Sequence, residues 1–456
     1  MNRNIFRAYD IRGIADTDLN DETVESIGRA YGTTLNAKGL KTAVVGRDVR
    51  LTSERISAAL ARGILSTGMD VIDVGTVPTP VLYYAIERLK ADGGVMVTGS
   101  HNPIEFNGLK MCEGLASLHG EQIQALLALI ESGKFSGGRG RLTRHDIVPE
   151  YRAMILEKIR IPKRFKIVID AGNGTAGPIA PGLFEALGCE VIRMYCDPDG
   201  RFPNHLPDPT VMKYIEDLRR RTVETGADFG IGYDGDADRL GLVDDKGRAV
   251  FADKILALLS KEVLSRHPGA PIVFDVKCSQ LLPEVIEKAG GLPVMWKTGH
   301  SLLKAKMKET DAPLAGEMSG HIFFKDGYFG FDDGIYVSMR LAQFLANQAK
   351  TLSALVGELP VFESTPEIRI ECPDDRKFDV VDRLVRSFKK DYQVIDVDGA
   401  RVLFGDGWGL VRASNTQPLL VMRFEAKTRE RLKEIETVFR KRLEEFPEVK
   451  IAEMEG

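Results

Sequence analysis

Cysteine is scarce in this chain. Five are spread over 456 residues, at 112, 189, 196, 278 and 372, an odd number with no CxxC pair. That excludes a disulfide-built scaffold and the common thiolate metal and redox sites, and fits free thiols in a reducing cytoplasm. No apolar run is long enough to span a bilayer, and the opening MNRNIFRAYD lacks an apolar signal region, so no membrane partner and a cytoplasmic location are expected. Charge of one sign is missing as well: 62 Lys and Arg stand against 66 Asp and Glu, a formal net charge of −4. Nothing in that balance attracts nucleic acid or an anionic surface, so any bound anion needs a local cluster of positive groups. What remains is an ordinary globular composition, 43% hydrophobic and 28% charged, in a chain long enough for two to four domains.

One pattern occurs three times. A β-branched strand ends in a loop, a helical stretch follows, and a glycine leads into a second strand. The copies run from Ala43-Val-Val-Gly-Arg-Asp48 to Gly75, from Lys166-Ile-Val-Ile-Asp170 to Met194, and from Pro271-Ile-Val-Phe-Asp275 to Gly299. Strand, helix and strand at this spacing form a right-handed crossover unit with parallel strands. The C-terminal part differs. Arg401–Phe404 and Trp408–Arg412 flank Gly405-Asp-Gly407, a hairpin signal, and Lys427–Glu445 carries apolar residues at helical spacing. The expected fold is therefore α/β: three similar mixed α/β domains (1–145, 146–248 and 249–365) and a C-terminal α+β domain with an antiparallel sheet (366–456). Thr365-Pro366 to Asp375 reads as the linker into that last domain.

The chemistry concentrates in loops. In Asp234-Gly-Asp-Ala-Asp-Arg239 three carboxylates alternate, and in an extended loop alternation aims them to one side. Crowded carboxylates repel, and a hard divalent cation relieves the repulsion. A calcium loop of the EF-hand kind needs glycine at its sixth position and glutamate at its twelfth; here those are Arg239 and Asp245. Few protein ligands beside an arginine suit magnesium. Gly172-Asn-Gly-Thr-Ala-Gly177 fits a dinucleotide fingerprint, with Glu190 near the ribose-binding position. Pro178 follows the last glycine directly, which favours a tight strand-to-helix turn and leaves the nicotinamide reading as the alternative.

Val95-Met-Val-Thr-Gly-Ser-His-Asn-Pro103 places Ser100 beside His101 at a strand end. Ser100 is a hydrolase nucleophile, a group carrier or a turn residue on this pattern alone, though a GxSxG elbow is absent. In Gly316-Glu-Met-Ser-Gly-His321, Glu317 and Ser319 alternate and suit neighbouring sugar hydroxyls, with His321 as a further donor, or form a polar loop with a capping serine. Arg412-Ala-Ser-Asn-Thr-Gln-Pro418 offers an arginine, hydroxyls and an amide, as a phosphate requires, or is a plain turn.

Taken in this order, the four loops TGSHNP, DGDADR, GEMSGH and RASNT resemble those of the α-D-phosphohexomutase family, with FRAYDIRG and Lys297-Thr-Gly-His-Ser301 as further matching segments. The bacterial-type phosphomannomutase/phosphoglucomutase branch is the nearest. The resemblance spans nearly the whole chain and implies four domains around a central cleft. It implies that Ser100 carries a phosphoryl group, that Mg2+ is required, with Ser100, Asp234, Asp236 and Asp238 as the metal site, and that a hexose 1,6-bisphosphate forms midway. Lys110 becomes the candidate general base, with a lowered pKa; Arg12 and Arg239 neutralise charge; His101 supports Ser100. Tyr9, Lys277 and His300 are cleft residues by resemblance. Glu317, Ser319 and His321 read the sugar, and Arg412, Ser414, Asn415 and Thr416 hold the far phosphate. Ala237 stands where glycine is common, a difference expected to matter little because its side chain points away from the metal. The implied substrates are mannose and glucose phosphates, with a phosphoglucosamine mutase of the same family or a non-catalytic sugar-phosphate-binding protein as the alternatives. Oligomeric state stays open.

Overall fold

The three repeats extend further than two strands each. In the computed structural model, which describes residues 1–415 and 417–450, each repeat is a four-stranded unit with one spatial order. In chain order the strands of the first are Thr42–Arg47, Asp70–Thr76, Gly93–Val97 and Phe106–Glu113. The first strand pairs in parallel with the second and third, and the fourth returns antiparallel to the third. Lys166–Asp170, Glu190–Met194, Phe229–Tyr233 and Leu240–Asp244 repeat this arrangement. So do Pro271–Asp275, Leu292–Trp296, Leu314–Gly316 and Ile322–Phe324. The order is 2-1-3-4 in all three sheets.

Local sequence explains these strands. Gly93–Val97 and Phe229–Tyr233 are buried along their whole length, as central strands covered by helices on both faces must be. The crossover helices supply the cover. Asp21–Asn36 starts on Asn20, whose side chain accepts from the Thr23 amide, and it packs its buried face, including Val24, Ile27 and Tyr31, towards the first sheet. The first sheet is widened at its edges by Ile11–Ile14 and Leu142–Arg144. No helix among the described residues is long and apolar enough to cross a membrane, and all five cysteines are unpaired.

The C-terminal sheet is antiparallel throughout, with Leu419–Ala426 at its centre beside Gly407–Ala413. The helices Lys377–Phe388 and Arg429–Leu443 cover it. One expectation needs correcting here: the stretch read as a linker holds the strand Ile368–Glu371, paired with Leu419–Met422. Ile370 is fully buried between exposed Arg369 and Glu371. Two alternating isoleucines beside Pro366 and Pro373 were too short a pattern to separate from a linker.

The fourth unit is plugged into the third. Arg401 is fully buried, donates to the carbonyls of Val276 and Cys278, and lies with its guanidinium carbon 3.6 Å from the Trp408 ring centroid. The Trp408 indole packs with Val276 and Leu410 and donates to Glu425 at 2.8 Å. Trp408→Ala should destabilise the protein by about 3–5 kcal/mol, the usual cost of truncating a buried aromatic. Val361→Ala, at a residue 81% exposed, should shift stability by no more than about 0.5 kcal/mol. Denaturant unfolding of the two variants measures both.

Candidate active site

Each of the first three units presents one chemical loop at the same place, the connection from its third parallel strand to the antiparallel fourth. Ser100 lies between strands 93–97 and 106–113, Asp234–Arg239 between 229–233 and 240–244, and Glu317–His321 between 314–316 and 322–324. The fourth loop joins strands 407–413 and 419–426.

Ser100 and the acidic loop meet directly. Ser100 Oγ donates to Asp234 Oδ2 at 2.7 Å and stands 3.1 Å from His101 Nδ1. Ser100 has φ +48°, a left-handed conformation that non-glycine residues hold only when their surroundings enforce it. Gly235 allows the approach: a Cβ there would lie 2.7 Å from the Ser100 carbonyl oxygen.

Asp234, Asp236 and Asp238 are fully buried, with carboxylate oxygens within 4.8 Å of one another. They do not converge by extended alternation. The loop is a turn in which Ala237 sits at φ +59°. That corrects the reading of Ala237: glycine suits the position because of the backbone, not the side-chain direction. Asp236 Oδ2 accepts from Thr79 Oγ1 at 2.6 Å and Lys110 Nζ at 2.7 Å, and Asp238 Oδ2 also accepts from Lys110. Asp236 Oδ1 is buried and accepts no hydrogen bond, whereas Asp238 Oδ1 faces His321 Nε2 at 3.2 Å. An orphaned carboxylate oxygen in an all-oxygen cluster fits a hard divalent cation.

Electrostatics separate the three acids. Burial, then repulsion from Asp236 and Asp238, pushes Asp234 well above the ordinary carboxylate range. Burial opposes ionisation of Asp238 too, but Lys110 and His321 hold it well below that range. Lys110 departs from expectation. Burial disfavours its charge, yet Asp236 and Asp238, then Asp234, raise its pKa above the usual lysine value. The lysine lies among carboxylates rather than cations, the reverse of the setting expected from the sequence.

His321 ties the third unit to this cluster. Its Nδ1 lies 2.8 Å from Glu317 Oε2 and its Nε2 3.2 Å from Asp238 Oδ1. Burial opposes the charge, but these carboxylates push its pKa up to about 9, so the ring is a cation at neutral pH. Arg239 Nε, 3.4 Å from His321 Nε2, is therefore a like-charged neighbour and not a donor. Glu317 is further fixed: Ser319 Oγ donates to the same oxygen at 2.7 Å, and the Gly299 amide binds its other oxygen, which leaves one of about four carboxylate acceptor sites open.

The remaining expected residues line the same cleft. Arg12 donates to Asn102 at 2.9 Å and Asp10 at 2.6 Å. Tyr9 reaches the Thr298 carbonyl at 2.6 Å and accepts from Asn415, so one side chain touches three units. Arg412 is buried on Asp398 at 2.9 Å, with one terminal nitrogen unpartnered. Ser414 Oγ accepts from the Gln417 amide, Lys277 pairs with Glu367 at 3.2 Å, and Thr416 lies outside the described residues. His300 stands 3.4 Å from Asp332.

Sequence reasoning missed Asp332, Lys304 and Thr79. Asp332 is fully buried, 3.1 Å from Lys304 and 3.9 Å from His321. The only signal was the i, i+4 spacing of His300 and Lys304 on the helix His300–Thr310. The Gly172–Gly177 turn faces no open site: the Thr175 amide and hydroxyl donate to the Gly235 carbonyl at 3.0 and 3.1 Å, buttressing the acidic loop.

Comparison with known proteins covers the same ground. Models of the phosphoglucomutase/phosphomannomutase alpha/beta/alpha domains I, II and III match residues 3–137, 149–247 and 251–362, and the model of the C-terminal domain matches 367–442. The chain is 49% identical to a phosphomannomutase/phosphoglucomutase of Pseudomonas aeruginosa over 96% of this chain and 95% of that one. It is 44% identical to a phosphoglucomutase of Neisseria meningitidis over 98% of each. A crystal structure of a phosphoglucomutase/phosphomannomutase family protein from Burkholderia thailandensis superposes with TM-score 0.93 at 44% identity, covering 98% of both chains.

A protonated carboxyl cannot serve as a cation ligand, so cation binding must displace the proton that the raised pKa of Asp234 retains. Divalent-cation affinity should therefore rise with pH as Asp234 gives up its proton, and the proton release on binding should shrink as pH rises. Titration calorimetry in buffers of different ionisation enthalpy measures both; a pH-independent affinity would contradict the assignment.

Proposed function

The chain belongs to the phosphoglucomutase/phosphomannomutase family, and from that premise we propose that it interconverts hexose 1-phosphate and hexose 6-phosphate with Ser100 as phosphoryl carrier. The observation that carries this reading is Ser100 Oγ at 2.7 Å from Asp234, inside a buried cluster of oxygen ligands. Acyl transfer has no use for such a cluster, whereas phosphoryl transfer depends on charge neutralisation and positioning.

In the forward half-reaction a free hydroxyl of the hexose monophosphate attacks the phosphorus on Ser100. The P–Oγ bond breaks as the new O–P bond forms, Ser100 regains a proton, and a hexose 1,6-bisphosphate results. The bisphosphate turns over in the cleft. Ser100 Oγ then attacks the other phosphate, its proton leaves, and the isomeric monophosphate is released. Ser100 Oγ has two acceptors in reach, Asp234 Oδ2 and His101 Nδ1. His101 is kept neutral by burial and by Arg239 and Arg12, so it orients the serine hydroxyl as a hydrogen-bond acceptor, and the serine proton passes to the departing sugar oxygen as its P–O bond breaks. Lys110 stays charged and neutralises the acidic loop, replacing the general-base role that its sequence position implied.

Ser100, Asp234, Asp236 and Asp238 would hold Mg2+, which when bound stabilises charge on the transferring phosphoryl group. Arg12 and Arg239 add positive charge beside it. Arg412, Ser414, Asn415 and Thr416 hold the phosphate that is not reacting. Glu317, Ser319 and His321 bind two sugar hydroxyls that look alike in both orientations, and Tyr9, Lys277 and His300 complete the cleft wall. C2 is left unread, so glucose and mannose phosphates both serve. We assign the four units to residues 1–145, 146–248, 249–365 and 366–456, and the compartment to the cytoplasm on the strength of five unpaired cysteines.

Intact mass of the purified protein should reveal a phosphoryl adduct that Ser100→Ala lacks. Turnover of glucose 1-phosphate with Mg2+ and a trace of glucose 1,6-bisphosphate should be lost in that variant; absence of both adduct and isomerisation in the wild type would overturn the reading. Arg412→Ala should raise KM by about 10- to 100-fold, the worth of a charge-assisted phosphate contact, with a smaller change in kcat. Unchanged kinetics would remove the fixed phosphate site.

A further inference from the structure

We propose that Arg50 is a positioning residue for phosphoryl transfer: its buried guanidinium gathers the backbone carbonyls of the loop that carries Ser100 and fixes the serine in its left-handed conformation. The inference rests on the assignment of Ser100 as the phosphoryl carrier and deepens it.

The topology brings the two segments together. Strands 42–47 and 93–97 are parallel neighbours, with Arg47 opposite Val97, so their C-terminal ends open side by side. The first continues into Asp48-Val-Arg50 and the second into Thr98-Gly-Ser100. Residues 98–106 are mostly turn formers, and few of their backbone groups bond within the loop; Asn102 N to Gly99 O and Phe106 N to Pro103 O are among these. Buried backbone groups still need partners.

Asp48 and Arg50 divide that task by polarity. Asp48 takes donors: the Gly99 amide at 3.1 Å, Thr98 Oγ1 at 2.8 Å and Ser53 Oγ at 2.5 Å. Thr98 Oγ1 in turn accepts from the Ser100 amide at 2.8 Å. Arg50 takes acceptors. One terminal nitrogen donates to Ser100 O at 2.8 Å and Asn102 O at 2.6 Å; the other donates to Pro103 O at 2.7 Å and Phe106 O at 3.0 Å. Four carbonyls within 3.0 Å on one planar fork, with Ile104 O a fifth at 3.4 Å, is a pattern that a lysine ammonium, with three donors on a flexible stem, cannot reproduce.

The fork is enclosed. Arg50 is 3% exposed, and a side chain at Gly99 would run into its guanidinium. The Phe202 ring from the second unit covers it at 5.2 Å, with Phe202 itself at φ +46°. The Ser100 carbonyl is thus held from one side by Arg50 and pressed from the other by Gly235 of the acidic loop. Arg50 touches no reacting atom, so its effect must appear in the rate of transfer and not in capture of the sugar phosphate.

The test uses Arg50→Ala and Arg50→Lys in the full chain, assayed with glucose 1-phosphate, Mg2+ and glucose 1,6-bisphosphate. We expect kcat to fall by about 100-fold in both, the scale of a small misplacement of reacting groups, with KM within about threefold of wild type. The rate of Ser100 phosphorylation by the bisphosphate should fall in parallel. Guanidinium chloride below denaturing concentration should raise kcat of Arg50→Ala and leave wild type unchanged. A kcat within about threefold of wild type, or a joint rise in KM and fall in kcat with no guanidinium rescue, would overturn the proposal. If the variants do not fold, hydrogen exchange on the wild type decides: the amides of Gly99, Ser100 and Asn102 should be protected, and unprotected exchange there would overturn it. A wild type that exchanges slowly at these amides but turns over no hexose phosphate would sink the parent reading and leave the loop-holding role of Arg50 intact.

Discussion

Three carboxylates that cannot reach water are the constraint around which this molecule is arranged. Asp234, Asp236 and Asp238 are all fully buried, with oxygens within 4.8 Å of one another. Two like charges at 4 Å repel by about 4 kcal/mol even at an effective dielectric constant of 20. Most of the compensation arrives from other units, Lys110 from the first sheet and His321 from the third, joined by Arg239 from the end of the acidic loop itself. The largest apolar cluster runs continuously from Val44 and Tyr83 through Ile167 and Ile231 to Phe274 and Phe324, so the first three units share one core behind the charged cleft. Charge balance and apolar burial thus pull the same three sheets together.

The repeated 2-1-3-4 strand order gives that convergence a simple origin. A hairpin turn after the third parallel strand projects beyond the sheet edge, and three such turns facing inward meet at one point. Ser100, the three aspartates and the Glu317–His321 pair occupy equivalent topological positions with unrelated side chains. The fold supplies a place and each loop supplies its own chemistry. Two positions of backbone strain lie in these loops: Ser100 in the carrier loop and Ala237 in the acidic loop both have positive φ. Strain of this kind persists only where surrounding contacts over-determine the backbone, and here those contacts come from the neighbouring units.

The sequence was most legible where one short stretch carries both signal and function. The β-branched runs marked the parallel strands, and the density of turn formers and polar groups marked all four loops. It was least legible where function depends on a distance. Lys110 reads as a lysine among cations until its ammonium is found on Asp236 and Asp238, which reverses the direction of its pKa shift. Asp332, Lys304 and Thr79 are ordinary residues in helices and turns, and only the packing of three units brings them to the cluster. The glycines of residues 172–177 formed a recognisable motif with the wrong implied partner: their turn supports the Gly235 carbonyl, and the following helix, Ala180–Ala186, begins three residues past the last glycine.

The fourth unit binds through a different logic, and it bears on how a substrate could turn over inside the cleft. Its contact with the third unit includes the segment Val276–Gln280, which carries Lys277, and the Thr298 amide, which donates to Asp398 at 3.0 Å. Arg401 holds the carbonyls on either side of that lysine, Arg423 holds the Lys277 carbonyl itself, and Glu425 accepts from the Gln280 amide. By contrast the fourth unit reaches the first through Tyr9 to Asn415 and an exposed Arg7–Asp374 pair. Exposed pairs contribute at most about 1 kcal/mol, whereas the Arg401–Trp408 plug is desolvated and packed. Among the described residues the two contacts of the fourth unit therefore differ in character: the one with Lys277 embedded in it is desolvated, and the one with the first unit includes a tyrosine and an exposed ion pair. On the proposed reaction the bisphosphate must reorient without leaving, and the contacts that carry Lys277 are the desolvated ones, so that lysine stays fixed relative to the fourth unit.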